Sequence, residues 1–144
     1  MFQSIVVGTD GSKTATAAVS RAAELARSTG ARLHLVAAYK PLDGLKLEGG
    51  GPESRDWRLT PDMNVEAILA DALAPLRAGG VNAETHARKG DPAAAIIEVA
   101  EDEHADLIVV GNKGMTGTKR YLLGSVPNKV SHHAPCSVMI VRTT

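Results

Sequence analysis

Apolar residues in this chain fall into two rhythms, and their alternation lays out a fold. Ser4-Ile5-Val6-Val7-Gly8 is a short unbroken apolar run, rich in β-branched residues and closed by glycine. Such a run predicts a strand buried on both faces. Thr9-Asp10-Gly11-Ser12 then supplies turn and N-cap chemistry. Beyond it Ala15, Ala18, Val19, Ala22 and Ala26 share one helical face, with Arg21 and Glu24 off it, and Gly30 suits a helix C-cap. Arg32 to Ala38 is a second apolar strand, which completes a strand–helix–strand unit.

The periodicity is lost over residues 42–62, where Gly49-Gly50-Gly51-Pro52 and Trp57 stand among mixed charges. An aperiodic stretch of about twenty residues in a compact domain predicts a surface loop, either an insertion over the sheet edge or a lid. Asn64 to Leu76 restores a helix, with Val65, Ile68, Leu69 and Leu76 inward, and Val81 to Arg88 alternates as a third strand. Asp91-Pro92 places a cap and then proline at the first helical position, ahead of the stripe Ala93, Ile96, Ile97 and Ala100. Asp106 to Val110 is a fourth strand, Ser125 to His133 a short helix and Ser137 to Val141 a fifth strand. The alternation predicts an α/β fold with an open, mostly parallel five-stranded sheet and helices on both faces. Ligands of such sheets sit at the carboxyl ends of the strands. That directs attention to the residues after Val7, Ala38, Arg88 and Val110.

Composition narrows the class. The 144 residues suit a single domain spanning 1–144, and 44% hydrophobic content supports a sizeable core. One cysteine, Cys136, excludes an internal disulfide framework and fits a reducing, cytoplasmic setting. No apolar run reaches the roughly 18 residues of a membrane span, and Met1 to Ser4 lacks a basic leader. A formal net charge of zero argues against nucleic-acid or membrane binding by bulk charge. The balance is uneven along the chain. From Leu107 to Thr144 no acid occurs, while Lys113, Lys119, Arg120, Lys129 and Arg142 are basic. This points to a local anion site.

That stretch holds Gly111-Asn112-Lys113-Gly114-Met115-Thr116-Gly117-Thr118-Lys119-Arg120-Tyr121-Leu122-Leu123-Gly124-Ser125, between a buried strand and a helix. Its glycines let backbone approach a ligand closely, and N–H groups at a helix start form a donor site for phosphate oxygens. Ser125 adds a hydroxyl and Lys113 a charge. Neither G-x-x-x-x-G-K-[ST] nor G-x-G-x-x-G after the first strand is present, so a Walker-type NTPase and a dinucleotide fold are unsupported.

Gly111-x2-Gly114-x9-Gly124-Ser125 resembles the G-2x-G-9x-G-[ST] nucleotide motif of the universal stress protein family. The openings Ile5 to Ser12 and Ala105 to Gly111, and the closing Pro135 to Val141, are similar to its other signatures. The resemblance implies a Rossmann-like, adenine-nucleotide-binding fold, usually a homodimer, with a regulatory role in stress response rather than dedicated catalysis. It implies that Asp10 contacts the adenine or ribose edge, with Gly8 and Thr9 beside it, and that backbone near Ala37 holds the adenine. Val110, Gly111, Lys113 and Gly114 would line ribose and phosphates, and Gly124, Ser125 and Val126 would grip the phosphates. Many relatives carry histidine or arginine where Lys113 stands. ATP is the expected ligand, with cyclic AMP the alternative, and Mg or Mn could accompany the nucleotide at Asp10.

Other chemistries are poorly supplied. A slow ATPase or phosphotransferase would need a group to place water in line with the γ-phosphate, and no general base stands out. A receiver domain needs an Asp where Arg88-Lys89-Gly90 ends the third strand, and a flavodoxin needs aromatics to sandwich its flavin. His132 and His133 are adjacent on a helix and point about 100° apart, so they do not share a metal from one face. Cys136 is expected to be a buried structural thiol. The terminal apolar strand Ser137 to Val141 predicts a sheet edge that pairs with its copy in a homodimer.

Overall fold

A computed structural model describes residues 1–40, 61–112 and 123–143. The predicted loop and its Trp57 therefore lie outside the described residues, apart from positions 61 and 62. The elements run β1 (Ser4–Gly8), α1 (Lys13–Thr29), β2 (Arg32–Tyr39), α2 (Pro61–Ala78), β3 (Ala83–Lys89), α3 (Pro92–Asp102), β4 (Leu107–Gly111), α4 (Ser125–His133) and β5 (Ser137–Val141). All neighbouring strands are parallel, in the order β3-β2-β1-β4-β5.

The order follows from handedness. A parallel crossover is right-handed, so building outward from β1 to β2 to β3 puts both connecting helices on one face. Returning across β1 to β4 and β5 reverses direction and puts the later helices on the other face. The two cores match. Ile5, Val7, Leu33, Leu35, Leu107 and Val109 pack with α1 and α2, whereas Val6, Val36, Ile108 and Val110 pack with α3 and α4. Alternate residues of a strand point to opposite faces, so a strand covered twice must be apolar throughout. That is the composition of β1 and β4.

Helix α1 faces the sheet with Ala15, Ala18, Ala22, Ala23 and Ala26, all buried. It starts at the N-cap Ser12, whose hydroxyl accepts from the Ala15 N–H at 3.2 Å, and stops at Gly30 in the left-handed region (φ 75°). Asp91 caps α3 by accepting from the Ala94 N–H at 3.0 Å, with Pro92 behind it as expected. Several boundaries differ from the expectation: β2 ends at Tyr39 rather than Ala38, α2 at Ala78 rather than Leu76 and β3 at Lys89 rather than Arg88, and β4 runs Leu107–Gly111 rather than from Asp106 to Val110. Helix α2 begins at Pro61 rather than Asn64, and β3 begins at Ala83 rather than Val81. Among the described residues no helix is long and apolar enough to cross a membrane.

Candidate functional site

The strand order turns back between β1 and β4, and their carboxyl ends open side by side. At this switch point the helix after β1 packs on one face and the helix after β4 on the other, the place where open α/β sheets hold ligands. Of the four strand ends singled out in the sequence, those after Val7 and Val110 are the two that flank it.

The β1 side is built by short-range hydrogen bonds. Thr9 is buried, and its N–H donates to the Val36 carbonyl at 2.9 Å, which extends the β1–β2 pairing past Gly8. Its hydroxyl accepts from the Gly11 N–H at 3.1 Å. Asp10 Oδ1 accepts from the Ser12 N–H at 2.9 Å, closing an Asx turn. Asp10 therefore does not cap α1, since Ser12 does; its second carboxylate oxygen is without a hydrogen-bond partner among the described residues. Gly11 sits at φ +84°, a conformation the turn requires and L side chains resist, and a Cβ there would meet the Ile68 side chain at 3.4 Å.

The β4 side is organised by Asn112, a residue the sequence reading passed over. The Asn112 N–H donates to the Val141 carbonyl at 2.9 Å and its carbonyl accepts from the Gly124 N–H at 3.0 Å. Its side-chain Oδ1 accepts from both the N–H and the hydroxyl of Thr143, each at 2.9 Å. One residue thus joins the end of β4, the end of β5 and the start of α4. Lys113 and Gly114 fall in the stretch 113–122, outside the described residues.

Helix α4 starts from Gly124 as N-cap, with no side-chain cap hydrogen bond. The first intrahelical bond runs from the Asn128 N–H to the Gly124 carbonyl at 3.0 Å. The N–H groups of Ser125 and Val126 are beyond the reach of any intrahelical acceptor, and Pro127 has none to offer. Ser125 is exposed and Val126 buried. An uncapped helix start, with its partial positive charge, suits an anion. Gly111 also lies close to α1: a Cβ built there would stand 3.7 Å from the Thr14 carbonyl and 3.5 Å from Thr143 Cγ2.

Ala37 lies at the carboxyl end of β2, but its backbone belongs to the β3 ladder. Odd-numbered residues of β2 bond toward β3, as in Leu33 N–H to the Asn82 carbonyl and Gly90 N–H to the Tyr39 carbonyl. Even-numbered ones bond toward β1, as Val36 does with Thr9. Ala38, the next even position, turns its N–H and C=O to the β1 side just where β1 has left the sheet. The carboxyl ends of β1 and β4 carry Gly8, Thr9, Asp10, Val110 and Gly111, the start of α4 carries Gly124, Ser125 and Val126, and the end of neighbouring β2 carries Ala37 and Ala38.

The remaining reactive groups stand apart. Cys136 is half-buried rather than fully buried; burial, and then the Asp106 carboxylate, pushes its thiol above the usual range, so it is not an activated nucleophile. His132 and His133 are exposed on α4, with ring centroids 6.3 Å apart.

Residues 1–142 match the model of the universal stress protein family. A universal stress protein of Mycobacterium tuberculosis, Rv1636, is 38% identical over 144 residues, covering 99% of this chain and 98% of the relative. A crystal structure of a universal stress protein in complex with cAMP superposes with a TM-score of 0.74 at 35% identity, over 99% of this chain and 98% of the other. The universal stress protein from Archaeoglobus fulgidus in complex with dAMP gives a TM-score of 0.69 at 26% identity, with 96% of each chain covered.

Proposed function

Because the chain belongs to the universal stress protein family, we propose that it is a single-domain regulatory protein that binds one adenine nucleotide in the crevice between β1 and β4. The uncapped start of α4, facing the switch point, carries this reading. Its two N–H groups and the exposed Ser125 hydroxyl supply donors to phosphate, and Gly124 presents no side chain to obstruct it. Similar proteins hold cAMP and dAMP, which supports an adenine base over other nucleobases.

In this reading the Ala38 backbone, free of the β1 ladder, meets the base edge beside Ala37. Asp10, with one carboxylate oxygen already committed to the turn, meets the ribose or a Mg or Mn ion brought in with the nucleotide. Gly8, Thr9, Val110 and Gly111 form the floor, and Lys113 and Gly114 follow into the phosphate loop. ATP is the preferred ligand and cyclic AMP the alternative. Asp10 is tied into an Asx turn, which leaves it poorly placed to serve as a general base, so the role is regulatory, with slow hydrolysis at most. The chain acts as a cytoplasmic homodimer joined through β5, where Ile140 is 41% exposed on the sheet edge.

Mass spectrometry of the small molecule released from freshly purified, denatured protein tests the ligand, and calorimetry with ATP and with cyclic AMP tests the affinity. An adenine nucleotide at about one per chain is expected. Failure of both nucleotides to bind would overturn the proposal.

A further inference from the structure

Three residues far apart in sequence meet near the amino-terminal edge of the sheet, away from the nucleotide crevice. His34 lies on β2, His86 on β3, and Glu103 follows the last turn of α3. His34 is 0% exposed, and its Nδ1 lies 3.0 Å from His86 Nε2, within hydrogen-bond reach. The other ring nitrogen, Nε2, is buried with no hydrogen-bond partner. It faces Glu103 Oε1 at 3.9 Å, too far for a hydrogen bond. A buried polar atom left this way is costly, and such atoms in folded proteins call for an explanation.

The surroundings favour a cation. One ligand atom from each of the three residues falls within 4.8 Å of the others. A zinc ion with bonds of about 2.0–2.1 Å spaces tetrahedral ligands roughly 3.3 Å apart, so a modest inward turn of the partly exposed side chains closes the set. Glu103 can make that turn, because its side chain is 32% exposed. Glu103 also caps the C-terminus of α3, where the helix dipole attracts positive charge. The nearby guanidinium groups are already occupied: Arg32 pairs with Glu84, and Arg88 with Glu98 and Asp102. Burial lowers the pKa of both imidazoles and keeps them neutral, the form that binds a metal. A cleft of about 360 Å3, lined among others by Arg32, His34, Asn82, Glu103 and Asp106, leads from solvent to the site.

We infer that His34, His86 and Glu103 form a binding site for one divalent transition-metal ion of the zinc class, with a fourth position open to water in the cleft. Two imidazoles and a carboxylate match the ligand preference of zinc. His34 meets the ion through Nε2, and His86, half-buried on an edge strand, gives up its hydrogen bond to His34 Nδ1 and turns its freed ring lone pair inward, since a neutral imidazole has only one lone pair to offer. The bound ion ties β2, β3 and the end of α3 together. It is independent of any Mg or Mn that arrives with nucleotide at the opposite edge of the sheet.

The test is zinc alone titrated into the chelator-stripped full chain, without nucleotide and with excess magnesium present, followed by calorimetry and metal analysis. One zinc per chain is expected, with binding at least tenfold weaker in His86→Ala and in Glu103→Gln and a rise in Tm on zinc addition in the wild type only. Both substituted residues are partly exposed, and circular dichroism of the metal-free variants checks that they fold. The double variant His132→Ala/His133→Ala should bind zinc as the wild type does. Absence of saturable zinc binding by the wild type would overturn the inference, as would unchanged affinity in either single variant or loss of binding in the α4 double variant.

Discussion

Asn112 offers a direct test of how the crevice is held together. Replacing it with alanine removes the Oδ1 acceptor shared by the Thr143 N–H and hydroxyl, both at 2.9 Å. The amide orientation is not ambiguous, since the Thr143 backbone N–H can only donate and so selects oxygen over nitrogen. A net hydrogen bond contributes about 0.5–1.5 kcal/mol. Thr143 lies near the chain terminus, where water can replace the lost acceptor, so the total loss should be near the low end, about 1–1.5 kcal/mol for the two. For a chain of this length that corresponds to a fall in Tm of about 3–5 °C. Asn112→Asp keeps the acceptor and the shape but adds a negative charge beside the expected phosphate site. It should cost little stability yet weaken nucleotide binding, since like charges a few ångströms apart in a partly shielded site repel by about 1 kcal/mol or more. Calorimetric melting and nucleotide titration of both variants separate the two effects. An unchanged Tm in Asn112→Ala, or a Tm in Asn112→Asp as low as in the alanine variant, would refute the clasp.

Three further outcomes follow from other parts of the molecule. Ser125→Ala removes a donor to a charged phosphate, worth about 1.5–3 kcal/mol, so affinity should drop roughly 10- to 100-fold. The side chain is exposed, so melting of the ligand-free protein should not move, and unaltered affinity would remove Ser125 from the site. In the metal-free protein His34 and His86 titrate below the ordinary value of 6.5 because burial disfavours their charged forms. The unfolded chain therefore takes up protons that the folded one refuses, and stability present above about pH 6.5 is lost as pH falls. Tm should decline between pH 7 and 5, above the main carboxylate range, with a smaller slope in His86→Ala; a flat profile would contradict this. Ile140→Lys places a charge on the β5 edge and should convert a dimer to a monomer by light scattering, whereas an unchanged mass would exclude that edge as the interface.

Much of this architecture was legible in the residues. Strands β1 and β4 announce themselves because coverage on both faces forces continuous apolar runs, and Ser12, Gly30, Asp91 and Pro92 mark helix ends through local backbone chemistry. β3 was blurred at its start because an edge strand carries polar residues such as Glu84 and Arg88, which dilute the pattern. What sequence periodicity could not reveal is side-chain company across long separations. His34 and His86 are 52 positions apart and meet only through the β2–β3 register, while the Asn112–Thr143 clasp spans 31. The parity that assigns Ala38 rather than Ala37 to the β1 side also depends on register, which no single strand carries within itself.

The two edges of the sheet are unlike. Strand β3 borders solvent with Glu84, Arg88 and Lys89, of which Glu84 pairs with Arg32 and Arg88 with Glu98 and Asp102. Strand β5 borders solvent with Val138, Met139 and Ile140. Charge on one edge discourages strand addition, and apolar character on the other invites it. Two copies meeting through β5, as proposed, would do so about a twofold axis, antiparallel, and each would then present only its β3 edge. Such an assembly would close at two, a finite ten-stranded sheet with no free apolar edge from which a fibre could propagate.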